Sequence, residues 1–294
     1  MKLSNTSAVL TTIATICAVS TAFQSVTPSA GYAYLQVPAS RNYYASDTSE
    51  GGGGSDWDNP EDAAKGIQKA RREGIPYGLD QNKGVCGVTQ PSDDGTPTRD
   101  YDQWLDWKGT PMPWKSQETY QVGDTITVEL WMERNFQGHF QLRGCPVEDG
   151  KSSSATEECF EQYPLTFVED VTHGVPKDEA YPERAYIYGG NQSDKVNMEY
   201  KFKLPDGLSG DKVLLQFFWY TGFCRYPGYD EYLTEENKEK LKWDKSDYPN
   251  CPDGEYPYDG KPFTMDPNTG LHEYFVNCAE VTIGGTAPPM LRSF

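Results

Sequence analysis

Histidine is scarce in this 294-residue chain: it holds His139, His173 and His272, and none before residue 139. Any site that grips a metal through imidazole rings therefore has few residues to draw on. Basic residues are also short, with 26 Lys and Arg against 44 Asp and Glu, a formal net charge of −18. That balance excludes nucleic acid and anionic membranes as partners, because no basic surface is available to release phosphate counterions. It leaves neutral polymers, cations and cationic surfaces. No CxxC pair occurs, which argues against a thiolate zinc site. No G-x-S-x-G elbow occurs to expose a nucleophilic serine. The acidic run DKSDYPNCPDGEYPYDG, residues 244–260, lacks the D-x-[DN]-x-[DN]-G order of a calcium loop and reads as a solvated loop. No carboxylate pair is singled out for glycoside hydrolysis.

One apolar run is present, from Ala8 to Ala22, behind Lys2 and with no acidic residue before Asp47. This is the n-region and h-region of a secretory signal, too short and too rich in Ser and Thr for a membrane span. Two small-x-small sites follow it, Ser20-Thr21-Ala22 and Ser29-Ala30-Gly31. Cleavage at the second gives a signal of residues 1–31 and a secreted, extracellular chain that begins at Tyr32. Cys17 leaves with the signal. Cys86, Cys145, Cys159, Cys224, Cys251 and Cys278 remain, an even set that a secreted protein pairs as disulfides, with 15 connectivities open. Asn191-Gln192-Ser193 is a glycosylation acceptor at Asn191.

From Tyr120 onward, apolar residues recur at strand periods. Strands are expected at Thr125–Trp131, His139–Leu142, Val196–Leu204, Val213–Tyr220 and Tyr274–Ile283. The region from Ala45 to Tyr120 is irregular, with a flexible run at Gly51–Gly54 and one helix expected at Pro60–Arg72 behind the cap Asn59. Short strands, few helices and no linker after Tyr120 indicate an all-β sandwich forming a single domain over residues 32–294.

The sequence holds 20 Tyr, 7 Trp and 12 Phe. Trp104, Trp107 and Trp114 cluster in the irregular region, and Tyr226 and Tyr229 lie in a Pro/Gly loop. Two readings stand for these rings. They plug loops onto the sandwich, or they offer flat faces to the C–H faces of sugar rings.

Three segments carry a family resemblance. YAYLQVPASR, residues 32–41, resembles the mature start of lytic polysaccharide monooxygenases of the chitin-binding type-4 kind, H-G-Y-x-x-x-P-x-S-R, with Tyr34, Pro38, Ser40 and Arg41 matching. ERNFQGHFQLRGCP, residues 133–146, resembles A-N-H-x-G-Y/H-F-x-x-x-x-C, with Asn135, Gly138, His139, Phe140 and Cys145 matching. YFVNCAEVTI resembles the last strand, F-x-x-C-A-D-V, with Phe275, Cys278, Ala279 and Val281 matching and Glu280 standing for the acid.

The resemblance implies an immunoglobulin-like or fibronectin-III-like β-sandwich with a large loop-helix insertion after the first strand. It also implies a copper ion held by a histidine brace: the terminal amine, the ring of a first histidine and the ring of a second, with an aromatic side chain at the axial position. The motif register puts Tyr32 at the first brace position, Phe136 at the second and Phe275 at the axial one. Both imidazoles are thus replaced. A phenyl ring has no lone pair for a metal, and a phenol with a pKa of about 10 is a poor copper(I) ligand. His139 reaches the brace only by a three-residue slip, which breaks the matched positions and points it to the opposite face of its strand.

The expectation is a secreted polysaccharide-binding protein of this fold without a metal cofactor. Its partner would be chitin or another β-linked glycan, gripped around Tyr32 with Tyr226 and Tyr229 as further candidate contacts. Two other readings are an active copper monooxygenase with unusual ligands and an acidic structural matrix or cell-wall protein.

Overall fold

A computed structural model describes residues 33–46, 85–87, 101–102, 104, 111–132, 135–148, 155–190, 196–222, 226–243 and 274–284. The helix expected at Pro60–Arg72, the Gly51–Gly54 run, Asn191, Trp107, His272, Cys224, Cys251 and Tyr32 lie outside these residues.

Among the described residues, nine strands form two sheets packed face to face. One has four strands in the order β1-β3-β7-β5 and the other five in the order β2-β9-β8-β4-β6. The first holds β1 (Ala33–Val37), β3 (Thr125–Met132), β5 (Thr166–Asp170) and β7 (Val196–Lys203). The second holds β2 (Glu118–Gln121), β4 (His139–Pro146), β6 (Ala185–Tyr186), β8 (Gly210–Tyr220) and β9 (Tyr274–Gly284). All neighbours pair antiparallel except β2 and β9, which run parallel. This is the sandwich expected from the sequence.

Strand alternation explains the core. In β3, Ile126, Val128, Leu130 and Met132 face inward and are buried, while Thr125 and Thr127 face water. From the other sheet, Val213, Leu215, Phe217 and Trp219 of β8 meet them. The near-continuous apolar run of β8 has a separate cause: both faces of its sheet are covered. On the outer face, Leu214 joins a cluster with Val85, Tyr101, Trp104 and Phe160, and Phe218 and Tyr220 join one with Tyr186, Tyr226, Tyr229, Tyr232 and Trp243. The described part of the insertion after β1 therefore packs on the five-stranded sheet. Trp104 is buried there, and Trp114 packs against the same cluster, so these two rings serve as plugs.

Among the described residues, four short helices lie outside the sheets: α1 (Arg41–Ser46), α2 (Glu157–Gln162), α3 (Tyr229–Tyr232) and α4 (Glu235–Leu241). Thr156 caps α2 by accepting from the Cys159 N–H, and Thr234 caps α4 by accepting from the Asn237 N–H. Among the described residues, two disulfides fix the outer layer, Cys86–Cys278 and Cys145–Cys159. The first ties the insertion to β9, and the second ties α2 to β4. Among the described residues no helix is long and apolar enough to cross a membrane.

Candidate functional site

Three segments meet at one end of the sandwich. Ala33, at the start of β1, pairs with Met132 at the end of β3. The buried Asn277 of β9 locks β1 in place: its Oδ1 accepts from the Leu35 N–H and its Nδ2 donates to the Ala33 carbonyl, both at 3.3 Å. Beyond Met132 the chain turns through Asn135-Phe136-Gln137-Gly138 into β4.

That turn is held from several sides. Asn135 Oδ1 accepts from the Gln137 N–H at 2.7 Å, and Asn135 Nδ2 donates to the Tyr188 carbonyl. The Gly222 N–H donates to the Phe136 carbonyl at 2.7 Å, and the Trp219 indole N–H donates to the Gln137 carbonyl at 2.7 Å. Gln137 and Gly138 both have positive φ, 57° and 80°. Glycine is required at 138, since a Cβ there would stand 1.9 Å from the Tyr220 carbonyl oxygen.

The turn sets Phe136 on an aromatic stack. Its ring lies nearly parallel to Trp219, with centroids 6.3 Å apart, and Trp219 lies nearly parallel to Phe275, with centroids 4.9 Å apart. Trp219 and Phe275 are fully buried, whereas Phe136 is half-buried. The motif register puts the second brace ligand and the axial aromatic at Phe136 and Phe275. The first brace position, Tyr32, precedes Ala33 and lies outside the described residues.

These residues do not fit a histidine-brace copper ion. A phenyl ring offers no lone pair, and the Trp219 indole nitrogen only donates, its N–H being used on the Gln137 carbonyl. Among the described residues no group of three His, Cys, Asp or Glu side chains converges on a metal position.

His139 lies in other company. It alternates with Phe140, so Phe140 enters the main core while His139 faces the outer cluster. There it stacks on Tyr220 with centroids 4.7 Å apart, and its Nδ1 shares a 2.6 Å hydrogen bond with the Tyr229 hydroxyl. Burial, and secondarily the Arg184 guanidinium, hold its pKa well below the usual imidazole value, so it is neutral at pH 7. His173 stacks on Tyr188 with centroids 4.2 Å apart. Its Nδ1 is 3.9 Å from Asp170 Oδ2. Burial lowers the His173 pKa and raises that of Asp170.

One expectation is corrected. Tyr226 and Tyr229 are not on a sugar-facing surface: they are 7% and 0% exposed. A helical turn beginning after Gly228, whose φ is +81°, folds the tyrosines inward onto Tyr186, Tyr220 and His139. Pro and Gly next to these residues signal a turn, and that signal does not say which way the rings point.

The remaining motif residues hold the fold. The Ser40 hydroxyl and N–H both donate to the Leu35 carbonyl. Arg41 Nε and Nη2 donate to Glu280 Oε1 at 3.0 and 2.8 Å, and its Nη1 donates to the Tyr101 carbonyl at 2.7 Å. Glu280 Oε2 accepts from the Lys115 N–H at 2.8 Å. Burial of Glu280 outweighs the guanidinium beside it and raises its pKa above the usual carboxyl value. Cys145 and Cys278 stand in the two disulfides. Trp219 and Asn277 are the members of the site that the motifs do not mark. The only signal for Trp219 is its place near the end of an apolar central strand.

The chain matches the model of a family described as lytic polysaccharide mono-oxygenase, cellulose-degrading, over residues 33–281. No curated protein matches it in sequence. Among solved structures it is similar to the lytic polysaccharide monooxygenase AA15 from Thermobia domestica in the Cu(I) state, at 21% identity and TM-score 0.49, over 86% of this chain and 98% of that one. A chitin binding domain from Burkholderia pseudomallei aligns at 11% identity and TM-score 0.39, over 87% of this chain and 100% of that one. The cellulose-active monooxygenase CelS2, in complex with copper, aligns at 16% identity and TM-score 0.30, over 87% of this chain and 100% of that one. The family match extends from β1 into β9 and takes in every strand of both sheets: the chain belongs to the lytic polysaccharide mono-oxygenase family.

Proposed function

We propose that this protein is a secreted polysaccharide-binding member of the family that does not use the copper brace. The observation that carries the reading is Phe136, held by its turn against Trp219 at the position where the motif register calls for the second metal-binding imidazole. An aromatic ring cannot replace a nitrogen ligand, but it suits contact with the C–H face of a sugar. The family's description supports a polysaccharide partner. The charge of −18 favours a neutral or cationic polymer over a polyanion, which fits chitin or another β-linked glycan. The proposal includes a signal over residues 1–31, one domain over 32–294, a glycan on Asn191, and Tyr32 as part of the binding surface.

Sedimentation with insoluble chitin, cellulose and pectin tests it. Retention on chitin or cellulose, and not on the anionic pectin, is expected. Retention on none of the three, or peroxide-driven release of oxidised oligosaccharides by the copper-loaded protein, would overturn it.

A further inference from the structure

Asp170 ends β5 with its side chain fully buried, and among the described residues no Lys or Arg pairs with it. Its ionisable neighbour is His173, in the turn that follows. Asp170 Oδ1 accepts from the His173 backbone N–H at 2.9 Å. Asp170 Oδ2 and His173 Nδ1 stand 3.9 Å apart, too far for a hydrogen bond. Both atoms are shut off from water, and neither has a hydrogen-bond partner. Two buried polar atoms in this state keep their desolvation penalty, and one proton placed between them would relieve both.

The backbone around the pair is fastened to β7. The Val171 N–H donates to the Glu199 carbonyl, the Glu199 N–H donates to the Thr172 hydroxyl, and the Gly174 N–H closes the turn on the Asp170 carbonyl. Any closing of the 3.9 Å gap therefore falls to the side chains. The other ionisable groups facing the pair are two phenols and a carboxylate. Burial first, and then the Asp170 charge, raises the pKa of Tyr200 on β7. Burial, Asp178 and Asp170, in that order, raise that of Tyr232 on α3. The Tyr200 hydroxyl is on Met198 Sδ, and the Tyr232 hydroxyl donates to the Pro176 carbonyl. Asp178 accepts from the Ala180 and Tyr181 N–H groups and from the Tyr186 hydroxyl. A proton arriving here as the pH falls thus finds Asp170 and His173 as its acceptors.

The His173 ring also lies flat on Tyr188, with an interplanar angle of 9°. Tyr188 is a junction. Its carbonyl accepts from Asn135 Nδ2, in the turn that carries Phe136, and the N–H of the next residue, Gly189, donates to the Leu241 carbonyl at the end of α4. We propose that Asp170 and His173 share one proton and act as an acid-operated latch on Tyr188. With the proton, Nδ1–H closes on Oδ2 as a charge-assisted hydrogen bond, and the imidazolium grips the Tyr188 ring by cation–π attraction. Without it, stacking alone holds the ring. Acid therefore tightens the link between the turn after β5, Asn135 and α4. Burial, opposed by the Asp170 charge, lowers the His173 pKa, so the latch closes below the ordinary imidazole value of 6.5. Its signature is local order: on global stability, the lowered His173 value and the raised Asp170 value act in opposite senses as the pH falls. The inference stands independently of polysaccharide binding.

Nuclear magnetic resonance of the whole protein, titrated from neutral to acid pH, tests it. The histidine ring nitrogens report the proton, and the Asn135 side-chain amide and the Gly189 N–H report the junction. His173 Nδ1 is expected to gain its proton below pH 6.5, with the Asn135 and Gly189 signals moving at the same midpoint. Protection of the Gly189 N–H from hydrogen exchange, corrected for intrinsic rate, should rise about tenfold across that midpoint, the factor one charged hydrogen bond contributes. Asp170→Asn keeps the shape and removes the charge, so it should lower the His173 midpoint further and abolish the rise in protection. His173→Gln cannot take the proton and should abolish the transition at Asn135 and Gly189, whereas His139→Phe should keep it. An unchanged His173 midpoint in D170N, a transition that survives H173Q, or Asn135 and Gly189 signals unmoved while wild-type His173 titrates would each overturn the latch. If D170N fails to fold, H173Q and H139F decide the matter alone.

Discussion

Removal of Glu280 will destabilise the protein far more than removal of Arg41, and the difference will grow as the pH falls. The two side chains are 4% and 2% exposed and 2.8 Å apart. In Glu280→Ala the guanidinium stays buried and cannot lose its charge, since an arginine side chain is not deprotonated in a protein. The Tyr101 carbonyl and the Trp104 ring, 5.6 Å from the guanidinium carbon, remain among its partners. Breaking a buried ion pair by removing one member costs about 3–5 kcal/mol. For a chain of this size that is a fall of about 10 °C in Tm. Arg41→Met leaves Glu280 instead, and a carboxyl can take up a proton. Its pKa is already raised by burial, and it rises further without the guanidinium. A raised carboxyl pKa means that the native state binds the proton more tightly than the unfolded chain. Its contribution to stability is therefore present at low pH and lost as the pH rises through the folded value. R41M should thus approach wild-type stability towards pH 4.5 and fall behind at pH 8, while E280A remains impaired across the range. Urea denaturation of both variants at several pH values measures this. Equal losses in the two variants at pH 5, or a loss below about 1 kcal/mol in E280A, would refute the reasoning.

Other predictions follow from the same packing. Gly138→Ala forces a Cβ to 1.9 Å from the Tyr220 carbonyl at a φ of +80°, and should cost more than about 2 kcal/mol in thermal or urea unfolding. Cys86–Cys278 closes a separation of 192 residues and Cys145–Cys159 one of 14, so loop entropy predicts losses of about 5 and about 3 kcal/mol when each pair is replaced by alanine, in that order. His139 has a folded pKa below its unfolded value, so it stabilises the fold above about pH 6.5 and this contribution is lost as the pH falls. A His139→Phe variant should show a shallower loss of stability between pH 7 and pH 5 than the wild type, and equal slopes would contradict the assignment.

The alternation of Ile126, Val128 and Leu130 made β3 legible, and its observed span exceeds the expected one by a single residue, Met132. The expected spans of β7, β8 and β9 likewise agree within a few residues of their ends. β2 was illegible for a physical reason. Glu118–Gln121 has no apolar alternation and is largely exposed, and its strand character comes from parallel pairing with β9. The two helices capped by Thr156 and Thr234 did carry a local signal, a Thr followed by two glutamates, and it passed unread among the strands. At the site, sequence register could name Phe136 and Phe275, but not the Trp219 ring between them, which enters through the pairing of β8 with β9. Tyr226 and Tyr229 show the converse: residue type and loop composition marked them, and the fold turned them inward.

Copper titration of the purified protein, followed by isothermal calorimetry and electron paramagnetic resonance, tests the central claim most directly. With Phe136 on Trp219 in place of an imidazole, no stoichiometric submicromolar copper site should appear, and glycan binding should be unchanged by chelator. One tightly bound Cu(II) per chain, with nitrogen hyperfine structure from imidazole, would contradict it.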